Sequence, residues 1–324
     1  TKSITGSVTQ LTAEKIKERP VTSPISALGG SAPGIQVTTS TGQPGDNPAI
    51  RLRGIGSVNG SNDPLFVVDG VPFSGNINRI NPDDIESIST LKDAASTSLY
   101  GARAANGVVI ITTKKGRKNQ APSFSFSTKQ GVSARGIQEY ERINPLDFYQ
   151  VYWEALRNDK ITQGRTEAQA AQEATNELIG FLNYNATNVA NNEIIGTDGS
   201  INPNARIRYS ENDLDWFDPI ERLGYRQEYN FSAQGASERA DYYASFGYLN
   251  EKGVFENSDF ERYTLRTNVN VDVLDWLRVG MNNSGDVRMQ NTVTSGGSGF
   301  ANAFYNARRM GPIFPVYAID DQGN

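Results

Sequence analysis

The 324-residue sequence contains no cysteine and no histidine. This removes thiol nucleophiles, Ser-His-Asp triads, imidazole acid–base catalysis and the usual zinc ligand sets. An enzyme would be limited to carboxylate, lysine, tyrosine or Ser/Lys mechanisms, and the sequence shows no plausible constellation for any of them. We therefore expect no enzymatic activity, and we assign no catalytic residue, no metal ligand and no cofactor.

Long apolar runs are also missing. No stretch reaches the roughly 18 apolar residues of a transmembrane helix, and the segment beginning at Thr1 lacks the apolar core of a signal peptide. The formal charge of -5 argues against nucleic acid as a partner. Because β-barrels cross membranes without long apolar runs, these absences leave both a soluble protein and a barrel open.

Residues 1–116 predict a small mixed α+β domain. Thr12 and Ser23 are candidate N-caps of two short helices, and Asp93–Tyr100 reads as a helix closed by Gly101. Short β-branched runs bounded by turn residues predict strands at Ile4–Val8, Ile35–Thr39, Ala49–Arg53, Leu65–Val68, Ile85–Leu91 and Val108–Thr113.

After Gly116 the pattern changes to a period of two residues. One face of each segment is aromatic or aliphatic, and the other carries charged and amide side chains. The segments have roughly the length of transmembrane strands, about 9–11 residues. They predict strands near 122–133, 224–235, 241–250, 262–272 and 276–288.

Alternation alone also fits a soluble β-sandwich. Three features favour an antiparallel transmembrane barrel: the polar faces recur strand after strand, aromatics lie near segment ends, and short turns alternate with long connections. The longest connection, at about 134–224, has helical patterns after Pro145 and from Thr166 to Leu182. The expected fold is thus a small mixed α+β domain followed by about five antiparallel strands of barrel type.

Three other patterns suggest sites but have plainer explanations. Gly54–Gly60 has the wrong spacing for a nucleotide-binding loop. The acidic residues between Glu211 and Asp218 lack EF-hand spacing, so a solvated loop is the better interpretation. Asp83 and Asp84 follow Pro82, which favours a turn or helix start over a catalytic carboxylate pair.

A more specific signal lies in a series of motifs, in a fixed order over roughly 110 residues. The chain resembles the plug domain of SusC/RagA-like TonB-dependent transporters, and the later segments resemble the first barrel strands of that family. The motifs are Gly42–Gly45, Ile50–Gly54, Asp63–Pro72, Asn81–Ile88, Leu91–Ala95, Tyr100–Gly101 and Ala105–Gly116.

The resemblance implies a plug over residues 1–116 and the N-terminal part of a barrel over 117–324. Barrels of this class have about 22 strands, so the chain is expected to be part of a longer protein, with the TonB box and the remaining strands elsewhere. The implied function is TonB-dependent import of an oligosaccharide or peptide across a Gram-negative outer membrane. Implied partners are TonB, a SusD-like surface lipoprotein, the cargo and outer-membrane lipid.

The same resemblance supplies candidate site residues. Two apical plug loops, 56–63 and 73–79, are expected to contact cargo, because amides can bond to hydroxyls or peptide groups and an aromatic ring can stack on a sugar. The cargo candidates are Asn59, Asn62, Phe73, Asn76 and Asn78. Charges expected to form ion pairs within the plug or against the barrel wall are Arg53, Asp69, Glu86, Lys92, Asp93 and Arg103. A siderophore or vitamin importer, and a non-transporting receptor or adhesin, remain alternatives.

Overall fold

The computed structural model describes residues 8–31, 33–39, 41–52, 54, 61–92, 98–116, 121–137, 139–294 and 301–317. The chain divides into two compact units. The first consists of Thr1–Ala134 and Leu223–Val293, and the second of Arg135–Arg222 and Thr294–Asn324. Among the described residues, no helix is long and apolar enough to span a membrane.

A small mixed domain opens the first unit. Its main sheet has the spatial order β1 (Val8–Thr12), β6 (Ile85–Leu91), β7 (Val108–Thr113), β4 (Leu65–Val68), β5 (Val71–Phe73). A separate hairpin pairs β2 (Ile35–Thr38) with β3 (Ala49–Leu52), and two short helices, α1 (Ala13–Lys17) and α2 (Pro24–Leu28), complete the domain. Its core is aliphatic, with Ile16, Leu28, Ile50, Ile77, Ile85 and Ile111 almost fully buried. We call the described residues up to Gly116 the plug.

The plug follows the sequence pattern in most elements. Ser23 caps α2 by accepting from the backbone N–H of Ile25, as predicted. Thr12 occupies the N-cap position of α1, as predicted, but its side chain makes no capping hydrogen bond. Strand β5 was not foreseen, because its three residues include Pro72. The predicted strand Ile4–Val8 and helix Asp93–Tyr100 fall largely outside the described residues.

A second sheet in the first unit is formed by five long antiparallel strands in sequence order. We call this sheet the wall. Two connections between neighbouring strands are tight, at 237–239 and 275–276, and both lie at the same end of the strands, which we call the turn end. At the other end of the strands, which we call the loop end, the chain leaves β8 after Ser133 and enters β9 at Gly224. The strands are β8 (Ser123–Ser133), β9 (Gly224–Ala236), β10 (Ala240–Lys252), β11 (Asp259–Leu274) and β12 (Leu277–Asn291).

The wall exposes its apolar face and buries the centre of its polar face, which is the reverse of the arrangement in a soluble sandwich. One face carries an exposed apolar band, with Phe126, Phe231, Phe246 and Leu265 aligned in neighbouring registers. The other face is polar, yet its central members are buried: Glu228, Ser245, Arg262, Thr264, Arg266 and Asn268. A sheet in water would bury the apolar face. This arrangement therefore contradicts the soluble sandwich and matches a barrel wall whose polar face lines a filled lumen.

The second unit has its own core around two helices, α3 (Pro145–Thr162) and α4 (Glu167–Leu182). Thr166 and Gln169 form a capping box at the start of α4. The Trp153 indole is 3% exposed and donates to Thr175 Oγ1 at 2.9 Å. Burial raises the pKa of Tyr149 to about 12, so its hydroxyl is a permanent hydrogen-bonding group between the helices and the following loop. A third helix, α5, spans Ala303–Arg309.

Candidate functional site

The polar face of the wall contacts the plug at a 3-10 turn, Pro82–Asp84, that leads into β6. Asn81 caps this turn by accepting from the backbone N–H of Asp83 at 3.0 Å. The cap and the fixed φ of Pro82 hold the turn in one conformation. Both carboxylates of the turn are buried and directed at the wall.

Asp84 contacts strand β10. Its Oδ1 accepts from the Tyr243 hydroxyl at 3.0 Å and from Ser245 Oγ at 2.5 Å. Arg266 Nε on β11 lies 4.0 Å from Oδ2. Despite these partners, burial raises the pKa of Asp84, because removal from water disfavours the charged form. The carboxylate is thus well bonded, but its negative charge is costly while the plug is seated.

Asp83 faces the neighbouring strands. Its Oδ2 accepts from Lys129 Nζ on β8 at 2.9 Å and from Asn230 Nδ2 on β9 at 2.6 Å. Asn81 extends the network by donating to Asn230 Oδ1 at 2.7 Å. It fits because Gly247 on β10 has no side chain: a Cβ there would overlap the Asn81 amide nitrogen. One turn of the plug therefore bonds to three adjacent wall strands.

A second contact lies at the β4–β5 turn. Asp69 has a positive φ of 49° and accepts from the Thr113 backbone N–H at 2.9 Å and its Oγ1 at 2.7 Å. Arg266 Nη1 lies 3.4 Å from Asp69 Oδ2, and both side chains are buried. Asn268, also on β11, donates to Lys114 O at 2.7 Å. Strand β11 is consequently bonded to the ends of β4 and β7.

Lys114, the residue after β7, connects these two contacts. Its backbone N–H donates to Asp84 O at 2.9 Å, and its ammonium group donates to Asp83 O. Burial lowers the pKa of Lys114, and the nearby Lys17 ammonium lowers it further. The Lys114 side chain thus stabilises the Pro82–Asp84 turn, which we call the two-aspartate turn, through a contact within the plug.

Two arginines make the contact nearer the loop end. Arg262 is 2% exposed and donates to Thr22 O at 3.0 Å and Asn78 O at 2.8 Å. Arg226 donates to Thr22 Oγ1 at 2.9 Å and lies 2.7 Å from Glu228 Oε2. Backbone carbonyls of the plug are therefore fixed by guanidinium groups of the wall.

The cargo candidates lie in different settings. Asn78 is 0% exposed and donates to Gly45 O and Asp46 O, a scaffold role that argues against contact with cargo. Asn76 is exposed and caps the turn Ile77–Arg79, while Phe73 is half-buried against the plug core. Asn62 is half-buried, and Asn59 lies outside the described residues.

The charged plug residues that were predicted to form ion pairs also lie in different settings. Asp69 is in the expected contact with the wall. Lys92 is buried and donates to Pro33 O at 2.6 Å, a contact within the plug. Glu86 is half-buried and Arg103 is exposed; Arg53 and Asp93 lie outside the described residues.

Sequence reasoning missed Asp83 and Asp84 as contacts of the wall. It placed them in a turn, which is correct, and expected no further role. The signal that could have found them was on the wall, where Lys129 and Arg266 stand on polar faces and need acidic partners in a filled lumen.

An open concavity of about 740 Å³ lies on the plug surface. The concavity lies beside the first residues of β4 and the residues that precede β7. These two strands are parallel, and both begin at the end of the plug opposite Gly116. Gly116 itself packs on the β9–β10 turn, so the concavity belongs to the loop-end side. Its lining includes Asn47, Ser61, Asp63, Phe73, Arg103 and Asn106.

Comparison with known proteins agrees with this architecture, a mixed plug seated on the polar face of barrel-type strands. Residues 1–108 match the family model described as TonB-dependent Receptor Plug Domain. TonB-dependent receptor P26 of Formosa agariphila is 35% identical, over 99% of this chain and 28% of its own length. TonB-dependent receptor SusC of Bacteroides thetaiotaomicron is 29% identical, over 98% of this chain and 28% of its own length.

Among solved structures, the RagAB peptide importer in its closed-closed state aligns with a TM-score of 0.69 and 30% identity. That alignment covers 88% of this chain and 31% of the other. The chain belongs to the SusC/RagA-like TonB-dependent transporters and supplies a plug and the first wall strands. It spans about 28% of the length of the curated relatives named above.

Proposed function

We propose that the protein containing this chain imports a large nutrient, an oligosaccharide or a peptide, across the outer membrane of a Gram-negative bacterium, with the plug as its gate. One observation carries the proposal: the plug is bonded to the polar face of the wall by buried polar side chains, while the apolar face is exposed. A lumen sealed in this way needs an energy input to open.

The bonds suit opening by force. The individual hydrogen bonds are each worth about 1 kcal/mol net, so a pull applied through TonB breaks them in sequence. Blocked and open plugs then form a two-state gate. No step in this function makes or breaks a covalent bond, which agrees with the absence of a catalytic constellation in the sequence.

Cargo would bind first at the loop-end concavity. Phe73 offers an aromatic face, Asn47 offers an exposed amide, and Arg103 offers an exposed cation. Such groups recognise hydroxyls and peptide units. Asn62 and Asn76 stay candidates from the same loops, as does Asn59, and Asn78 supports the loop from within.

The tight turns support a periplasmic turn end and an extracellular loop end, because outer-membrane barrels have short periplasmic turns. The exposed apolar band would contact lipid. The segment between Ser133 and Gly224 begins and ends at the loop ends of β8 and β9, and we infer that it contributes a surface for a SusD-like lipoprotein. The solved relative named a peptide importer is consistent with a peptide cargo.

Uptake by cells tests this function. Cells expressing the full-length protein, and cells lacking it, would be given labelled oligosaccharide, peptide, iron-chelate and vitamin pools with and without a protonophore. We expect accumulation that needs both the protein and the proton gradient. Accumulation of only iron chelates or vitamins would assign the siderophore or vitamin alternative, and binding without accumulation would indicate a receptor.

A further inference from the structure

Three of the plug segments that line the loop-end concavity come from distant parts of the chain. They are α2 at Ile25, the residues 47–49 that lead into β3, and the residues 73–75 that follow from β5. Because these segments are not neighbours in sequence, the shape of the concavity depends on contacts that hold them together.

Arg262 of the wall supplies the contact for two of these segments. Its Nη1 donates to Thr22 O at 3.0 Å, just ahead of α2, and to Asn78 O at 2.8 Å, just after residues 73–75. Arg262 is 2% exposed and lies on β11, which is paired with a strand on each side. One buried guanidinium nitrogen of the wall therefore fixes the backbone beside two lining segments.

The third segment is held through Asn78. Its side-chain Nδ2 donates to Gly45 O at 3.0 Å and to Asp46 O at 2.8 Å, directly before the second lining segment. Gly45 also packs on β11, because a Cβ on this residue would overlap the ring of Phe260. All three segments are thus joined to one another and to β11 around Arg262.

We propose that Arg262 is the positioning residue of the cargo site, and that the site keeps its shape only while the plug is seated on the wall. Movement of the plug away from β11 breaks both Arg262 bonds, so α2 and residues 73–79 lose their common support. Cargo affinity then falls, and the motion that opens the lumen also releases the cargo. This inference rests on the proposed import function and adds the means of release.

The same coupling acts in the reverse direction. A ligand that binds one of two states more tightly stabilises that state by the difference in binding free energy. Bound cargo therefore keeps the plug seated until a pull through TonB separates plug and wall. Release without such a pull is disfavoured for as long as the Arg262 bonds hold.

Three variants of the full-length protein test the role of Arg262. Arg262→Met removes both bonds, whereas Arg262→Lys keeps an ammonium group with three donors for the two carbonyl groups. Asn268→Leu is the matched control. Asn268 is likewise a buried side chain of β11 that donates to a plug carbonyl, but its acceptor, Lys114 O, lies at the opposite end of the plug from the concavity.

Hydrogen exchange and binding of the labelled oligosaccharide and peptide pools would be measured for each variant. Arg262→Met should speed exchange at residues 22–28 and 73–80 together. It should also weaken binding of the pool that the parent binds by about tenfold or more, as expected for loss of a charge-assisted hydrogen bond. Arg262→Lys should recover most of both effects, and Asn268→Leu should bind like the parent. Unchanged exchange at 108–113 would confirm that the plug core is folded.

Parent-like exchange at both segments in Arg262→Met would overturn the assignment, as would equal loss of binding in Arg262→Met and Asn268→Leu. A further measurement needs no variant: the bound pool should slow exchange at residues 81–91 of the parent, and exchange that does not respond would overturn the link between seating and affinity. A parent that binds neither pool would instead contradict the import function, and the exchange comparison would still decide the role of Arg262.

Discussion

Arg266 Nη1 lies 3.4 Å from Asp69 Oδ2, and both side chains are at least nine-tenths buried. The pair joins strand β11 of the wall to the β4–β5 turn of the plug across 197 residues of sequence. A buried charge that loses its partner is far more costly than an exposed one. This pair should therefore dominate the attachment of the plug.

Replacement of the arginine tests that expectation. Arg266→Met leaves Asp69 buried and unpaired, so the free energy of plug unfolding should fall by about 3–5 kcal/mol. The control is Arg79→Met, whose ion pair with Asp286 is half exposed on the arginine side and should contribute about 1 kcal/mol or less. Hydrogen exchange over residues 61–116 in the full-length protein measures both. Equal losses of stability in Arg266→Met and Arg79→Met would contradict the expectation that the buried ion pair contributes more than the exposed one.

Asp84 should make seating of the plug depend on pH. Burial raises its pKa, so its stabilising contribution is fully present at low pH and is lost as the pH rises through the folded-state pKa. Asp84→Asn keeps an acceptor for Tyr243 and Ser245 without the charge. The variant should match the parent near pH 4 and exceed its Tm increasingly toward pH 7. A constant difference across that range would exclude the effect.

Gly247 should be intolerant of any side chain. A Cβ there overlaps the Asn81 amide and lies 2.6 Å from Thr264 Oγ1. Gly247→Ala should therefore loosen the two-aspartate turn by about 1–3 kcal/mol. Gly285→Ala on β12 has no atom within 4 Å of its new Cβ and serves as the control. Exchange rates at residues 81–91 that are the same in both variants would refute the prediction.

Trp153 should stabilise the second unit. Its buried indole packs between α3 and α4 and bonds to Thr175, so Trp153→Ala should cost about 3–5 kcal/mol. Phe181→Ala removes an aromatic that is 58% exposed and should cost little. Limited proteolysis within 135–222 compares the two. Resistance of Trp153→Ala to cleavage equal to that of the parent would show that the core tolerates the loss.

The wall was predictable because its strands alternate strictly. All five lie where the period of two residues placed them, with ends shifted by at most a few residues, since a half-buried strand must carry one apolar face. The helical pattern from Thr166 to Leu182 likewise agrees with α4 and its N-cap at Thr166. Local chemistry determines these features.

The contacts between plug and wall were not predictable. Asp84 and Tyr243 are 159 residues apart, and no local pattern relates them. Asn78 was predicted to contact cargo from an apical loop, yet its amide bonds to Gly45 O and Asp46 O within the plug. The boundary of the plug at residue 116 remains a prediction, as do the cargo contacts.

The central claim is that the plug must move for cargo to pass. Asp84 and Ser245 suit a disulfide lock, because both side chains are short and Ser245 Oγ lies 2.5 Å from Asp84 Oδ1 across the plug–wall contact. The full-length double variant Asp84→Cys with Ser245→Cys, freed of any other reactive cysteine, would be assayed oxidised and reduced. We predict that oxidation preserves cargo binding and stops uptake, and that a reductant restores it. Undiminished uptake with the disulfide fully formed would contradict the account.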